Sequence, residues 1–342
     1  MERNCFDATR HIAALLVLYS HHYALSGMKE PMFFNFDSLG GLALVIFFSI
    51  SGYLVISSYI RSKNIISYVR NRLLRIYPAL ILCLVIMALI ICPLLGKGNA
   101  IDYIFSENPF NLISRGIRLY KYNGSGVTAN DFGYDYIRPN VINGSLWTLH
   151  IEFVNYILVI FVLFSKNDTI KKLSVFFMIC VVFYLVTRET GSRESVIANY
   201  SIPFAAGALA GFLIEKQEKT KYYFIIIGSS IIVLMYLFGH QGIIHRLTYF
   251  SILPFVIIGL CLTMNDIFIK RRFDLSYGIY IYSFPTQQIV INEFDFSFYQ
   301  SMFVSFLVVI LLSFFSWHFV EKVFLMKKII KKENYELNNN FR

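Results

Sequence analysis

Charge is scarce in this sequence. Asp, Glu, Lys and Arg make up 15% of its 342 residues, where a soluble domain carries roughly 25%. The shortage excludes a protein whose surface is mostly bathed in water. Acid is scarcer than base, 21 residues against 31, for a net charge of +10. Such a surplus would suit a nucleic-acid partner if it formed a basic face. The basic residues instead fall in short segments between apolar runs, the placement of membrane topology signals, so no nucleic-acid partner is expected. Cysteine is also sparse. The five (Cys5, Cys83, Cys92, Cys180, Cys261) lack the spacing of a metal or redox motif. Four of them lie inside apolar runs, where a thiol behaves as a small apolar group. Neither a disulfide framework nor a metal site is implied.

What the chain has is apolar length. Hydrophobic residues are 56% of it, with 34 Phe, 23 Tyr and a mean hydropathy of +0.58. They come in blocks near 20 long, enough to cross a hydrocarbon layer about 30 Å thick. Spans are expected at 10–26, 39–60, 75–95, 144–165, 172–187, 198–214, 222–238, 247–264, 275–292 and 300–321. The predicted fold class is therefore an all-α integral membrane bundle of about ten transmembrane helices. With the N-terminus cytoplasmic, about two thirds of the Lys and Arg lie on the cytoplasmic side, which also places the C-terminus there. The first apolar run contains Arg10, His21 and His22 and shows no small-residue cleavage site, so it reads as a retained helix rather than a signal peptide. Residues 1–326 form one membrane domain, with a long extracytoplasmic loop at about 96–143 that has room for a short helix. Residues 327–342 form a basic, Asn-rich cytoplasmic tail suited to an anionic leaflet. No repeat and no soluble catalytic domain is evident.

Ionisable groups inside a span are costly and therefore functional candidates. Arg10 and His21 are eleven residues apart in the first helix, which leaves them about 20° apart around the axis and about 16 Å apart along it. They share a stripe that His22 does not, and a long ligand entering from the cytoplasm could touch both. The plainer reading is that Arg10 reaches the headgroups and His21 bonds a neighbouring helix. In Ser67-Tyr-Val-Arg70-Asn-Arg72-Leu-Leu-Arg75, three arginines could face one pocket on a helix. Their planar forks suit phosphate, although positive-inside topology explains them as well. Glu152, seven residues after Ser145 and on the same helical face, lies in an apolar run and must be paired, protonated or facing an aqueous cavity. Trp147 reads as an interfacial belt residue. The Ser and Gly of Phe47-Phe48-Ser49-Ile50-Ser51-Gly52-Tyr53 read as close helix packing.

Taken in order, these segments resemble acyltransferase family 3 of bacterial membrane-bound acyltransferases. Arg10-X10-His21, Phe47 to Tyr53, Arg72-Leu-Leu-Arg75-Ile-Tyr-Pro78, Ser145-Leu-Trp147-Thr-Leu-His150-Ile-Glu152, Ser276-Tyr277-Gly-Ile-Tyr280 and Val320-Glu321-Lys322 are each similar to a family segment. The resemblance implies O-acetyl transfer from cytoplasmic acetyl-CoA to a hydroxyl of a cell-envelope polysaccharide such as O-antigen, capsule or exopolysaccharide. It implies a multi-pass protein of the bacterial cytoplasmic (inner) membrane whose partners are membrane lipids, acetyl-CoA and a surface glycan or lipid-linked saccharide. In this reading His21, Glu152 and Arg10 are catalytic, and Arg72, Arg75 and Arg10 bind the donor. His21 would be the general base or carry the acyl group briefly. Three departures stand out: Ser283 where many relatives have His, His150 for a small residue, and no proline near Glu321. The hydrolase-like extracytoplasmic domain fused to some relatives is not found, so a separate extracytoplasmic partner could complete the transfer. A transporter or flippase for a lipid-linked glycan fits the span count too, though no inverted repeat or broken-helix pair supports it. A glycan polymerase would use loop arginines such as Arg115, Arg118 and Arg138.

Overall fold

The computed structural model describes residues 4–325 apart from 63, 97, 120–126, 130–131, 134, 165–166, 239–241, 268 and 270–271. The expected tail at 327–342 lies outside the described residues. The rest is almost entirely helical. Among the described residues, eight helices are long and apolar enough to cross a membrane. Their outer surfaces agree, with Phe161 74%, Val186 71% and Phe238 76% exposed. Apolar surface on that scale is tolerated by lipid and not by water. The protein is a multi-pass membrane protein. The other two expected spans do form helices, α1 (Phe6–Leu25) and α12 (Ser276–Asn292). Asp7, Arg10 and three histidines lower the hydropathy of α1, and α12 has 17 residues with Ser283, Gln287 and Gln288 among them.

The chain divides into two compact units. Unit 1 holds residues 1–65 and 147–272. Its described helices are α1 (Phe6–Leu25), α2 (Leu39–Arg61), and, further along the chain, Trp147–Val162, Thr169–Thr187, Arg193–Lys216, Thr220–Phe238 and Ile243–Thr263. A short hairpin, β1 (Met32–Phe33) and β2 (Asp37–Ser38), joins α1 to α2. Ser38 caps α2, its Oγ accepting from the Gly41 N–H at 3.1 Å.

Unit 2 holds 66–146 and 273–342. It contains α3 (Ile65–Ile86), which runs through a π turn at Met87–Ile91 into α4 (Cys92–Leu95). The expected loop at 96–143 carries two short helices, α5 (Ala100–Phe105) and α6 (Asn108–Ile117), and the small hairpin β3 (Val127–Thr128) and β4 (Val141–Asn143). In chain order the five later helices of unit 1 are α7 to α11. Unit 2 then closes with α12 (Ser276–Asn292) and α13 (Phe298–Ser316), which ends in a second π turn at Trp317–Glu321.

In unit 1, α2 packs against α1, α9 and α11. The crossing with α9 is close because small residues meet there, as lipid-embedded helix pairs require. A Cβ on Gly52 would stand 1.9 Å from the Phe204 carbonyl oxygen, and one on Gly207 2.2 Å from that of Ser49. The packing expected of the Phe47–Tyr53 segment is therefore present.

Unit 2 shows how a proline is accommodated inside a helix. Pro285 has no N–H, so the Ile281 carbonyl one turn earlier loses its helical donor. The fully buried Asn143 replaces it, donating through Nδ2 at 2.8 Å, with the Cys83 thiol as a weaker donor at 3.6 Å. Asn143→Leu should destabilise the protein by about 1–3 kcal/mol, since it leaves the Ile281 carbonyl only the weak thiol donor and the buried Ser145 N–H without its acceptor. Adding Pro285→Ala restores an N–H for Ile281 and should recover part of the loss. Thermal unfolding of the two variants in detergent measures this coupling, and simple additivity would contradict it.

Candidate active site

The expected site residues divide between the units: Arg10, His21 and Glu152 in unit 1, Arg72 and Arg75 in unit 2. In unit 1, α1 is unbroken from Phe6 to Leu25, so the helical arithmetic for Arg10 and His21 holds. Asp7 in the first turn anchors Arg10 at 2.5 Å. An acid there also suits the positive end of the helix dipole. His21 is half-buried, whereas Ser20 and His22 on either side are completely buried. His21 is thus the histidine of this pair with access to a ligand.

Glu152 lies half-buried on α7. It accepts from Ser51 Oγ on α2 at 3.2 Å and, at close range, from the Tyr156 hydroxyl, both through Oε1. Ser51 therefore does more than permit packing: it ties the Phe47–Tyr53 segment to the acid. Two residues later the Tyr53 hydroxyl donates to Glu215 on α9 at 2.8 Å.

Two sequence readings need correction here. Ser145 sits in a 3-10 turn at Gly144–Leu146 and α7 starts only at Trp147, so Ser145 does not share a helical face with Glu152. Its carbonyl instead accepts from the Tyr280 hydroxyl at 2.7 Å. Trp147, expected at the lipid interface, is half-buried, its ring 5.5 Å edge-on from that of Tyr200 on α9.

In unit 2, Arg72 and Arg75 are half-buried on α3, three residues apart, while Arg70 is exposed. Helical geometry places Arg72 and Arg75 about 60° apart around the axis. Arg75 is already engaged, since its Nη2 lies 2.6 Å from Asp274 Oδ2, and Asp274 also accepts from Ser276 Oγ at 2.6 Å. Asp274 precedes α12 outside any apolar run, and for that reason nothing in the sequence marked it as a partner. Glu321 is 3% exposed on the π turn, where it accepts from Ser316 at 3.1 Å. Ser283, assigned no catalytic role, is buried and donates to the Ile279 carbonyl one turn back. All five cysteines are free thiols.

Outside the spans, burial pushes the Asp37 carboxyl above its usual value, with the Ser38 N–H and the charge of Arg246 opposing. A raised folded pKa means that Asp37 releases its proton more readily when unfolded. Stability should therefore fall as the pH rises from about 4 through the folded value. Asp37→Asn should remove that loss, unfolding at higher temperature than the wild type at pH 7 and at nearly the same temperature at pH 4. A second expectation concerns Arg75. Asp274→Ala should lower the unfolding temperature by removing the carboxylate from a mostly buried cation. The double variant Arg75→Ala/Asp274→Ala should unfold at a higher temperature than Asp274→Ala alone.

Residues 3–318 match the family model described as an acyltransferase domain. Over 334 residues the chain is 36% identical to the O-acetyl transferase of Shigella phage Sf6, covering 95% of this chain and 96% of that protein. It is 32% identical over 160 residues to nodulation protein 10 of Rhizobium leguminosarum bv. viciae, 45% of this chain and 42% of that protein. No solved structure matches it. The transporter and polymerase readings give way to these findings: the chain belongs to acyltransferase family 3 and is a membrane-embedded acyltransferase.

Proposed function

We propose that the protein is an O-acetyltransferase of the bacterial cytoplasmic membrane that moves acetyl from acetyl-CoA to a hydroxyl of a cell-envelope polysaccharide. The observation that carries this reading is the half-buried His21, on the stripe of Arg10 in an unbroken α1. The O-acetyl transferase likeness over nearly the whole chain supports the acyl group. α1 and α12 complete ten spans, with both termini cytoplasmic.

The chemistry follows from the residue types. A neutral His21 imidazole accepts the acceptor hydroxyl's proton as its oxygen attacks the thioester carbonyl. The new C–O ester bond forms, the C–S bond breaks, and the proton passes to the departing CoA thiolate. The alternative, a transient acyl-imidazole, splits the same balance into two steps. Glu152, with Oε1 occupied by Ser51 and Tyr156, orients the acceptor or a proton through Oε2. Arg72 contacts donor phosphate. Arg75, fixed by Asp274, contributes a pre-oriented guanidinium to the same task, and Arg10 meets the inner portion of the donor. The likeness gives no acceptor sugar, and a separate extracytoplasmic partner remains compatible with the scheme.

His21→Ala should lower transfer by at least about a hundredfold, the usual worth of a positioned general base, with normal membrane expression. The readout is the acetyl signal in NMR spectra of surface polysaccharide from a deletion strain carrying the variant. A full acetyl signal would remove His21 from the chemistry.

A further inference from the structure

At the His21 end of α1, unit 1 gathers polar groups that the scheme above does not use. Ser20, the residue before His21, donates at close range to Glu30. A Cβ on Gly40, near the start of α2, would stand 3.1 Å from Ser20 Oγ and 3.3 Å from Glu30 Oε2. Asp37 lies beside them on β2, within electrostatic reach of Glu30. Both carboxylates are half-buried, and neither forms an ion pair among the described residues. Arg246, the cation that acts on Asp37, is exposed and lies over the Phe250 ring at 5.7 Å.

Independent observations mark the same place. Tyr249 is completely buried, yet its hydroxyl has no hydrogen-bond partner among the described residues. That hydroxyl is within electrostatic reach of Asp37 and Tyr200, and its ring stacks on Phe36, the neighbour of Asp37, at 5.4 Å. Tyr200 is half-buried and meets Trp147, Phe48 and Phe250. Buried polar groups are normally satisfied, so an unpartnered Tyr249 hydroxyl beside a poorly compensated acid indicates a ligand whose own groups complete them.

We infer that Glu30, Asp37 and Tyr249 bind the hydroxyls of a saccharide acceptor, with Tyr200 and Trp147 as the ring faces against which it packs. The donor and acceptor types fit a polyol: carboxylates accept from hydroxyls, the Tyr249 hydroxyl can donate to one, and aromatic faces take the C–H face of a sugar ring. A metal ion fits poorly, since no group of three His, Cys, Asp or Glu among the described residues could hold one. The burial of Asp37 agrees, because a partly desolvated carboxyl gains more from a substrate hydroxyl donor than a fully hydrated one does. Ser20 joins this cluster to the proposed base, His21, its neighbour in the chain. The inference rests on the O-acetyl transfer reading and names the acceptor side of it.

The test uses the full chain purified in lipid nanodiscs, with acetyl-CoA as donor and alkali-deacetylated polysaccharide from the host surface as acceptor. Glu30→Gln and Asp37→Asn should each raise the acceptor KM about tenfold or more, the scale of a lost charge-assisted hydrogen bond. The kcat at saturating acceptor should fall less than about threefold. Tyr249→Phe, which removes only the hydroxyl, should raise KM in the same direction and serves if a carboxylate variant does not fold. A fall in kcat with unchanged KM in all three would make the cluster purely structural and overturn the inference. Wild-type protein that acetylates no saccharide would overturn the functional reading along with it, whereas saccharide transfer with variants of unchanged KM overturns this inference alone.

Discussion

A charge or a bare peptide group inside a bilayer has no water to turn to, and the rest of this structure follows from that constraint. Several of the acids and bases that the architecture draws into its described helices come with a partner close by. Asp7 holds Arg10 one turn away on α1. Ser51 and Tyr156 hold Glu152. Asp274 holds Arg75, and Ser316 holds Glu321. These contacts also set where the chemistry can sit. A guanidinium fixed by a carboxylate loses little further freedom when a phosphate arrives, so the cost of ordering is met at folding rather than at binding. A glutamate gripped through one oxygen presents the other in a fixed direction.

The backbone obeys the same constraint. Pro285 interrupts α12 and frees the Ile281 carbonyl, which Asn143 satisfies from β4. The π turns at Met87–Ile91 and Trp317–Glu321 are further local departures from the α-helical ladder, of a kind that often marks functional positions. Close backbone approach supplies what the hydrophobic effect cannot between helices already in lipid. The Gly52–Phe204 and Ser49–Gly207 contacts of α2 and α9 bring Ser51 and Tyr53 to the acids they bond. Packing and site share one segment, so its glycines and serines are read wrongly if either role is taken alone.

The helices were legible in the sequence because a hydrocarbon slab imposes a length on every apolar run. α1 and α12 were found by the same runs although α1 carries Asp7, Arg10 and three histidines and α12 has only 17 residues. His21 rather than His22 followed from helical geometry because α1 has no break. What stayed hidden were partners set by tertiary contact. Nothing near Asp274 in the chain refers to Arg75, 199 residues away. Nor does Ser51 announce Glu152, 101 residues on. The Ser145–Glu152 spacing misled because a heptad shares a face only inside one helix, and α7 begins between them. Trp147 was taken for a belt residue because composition cannot tell a ring facing lipid from one packed on Tyr200. In the 96–143 segment, turn-rich composition concealed α6, whose contact with the α3 π turn exists only after folding.

The same physics gives the carboxylates near His21 their meaning. Glu152 and Arg75 have partners that repay their burial. Asp37 does not: burial raises its proton affinity, and its one backbone donor together with a distant Arg246 falls short of restoring it. A carboxylate that lowers stability at neutral pH needs another source of selection, and proteins tolerate such groups where function depends on them. The unsatisfied Tyr249 hydroxyl, facing the same acid, is a second cost in the same place. A poorly compensated acid and an unpartnered hydroxyl converging on one spot are explained together by a substrate that satisfies both on arrival.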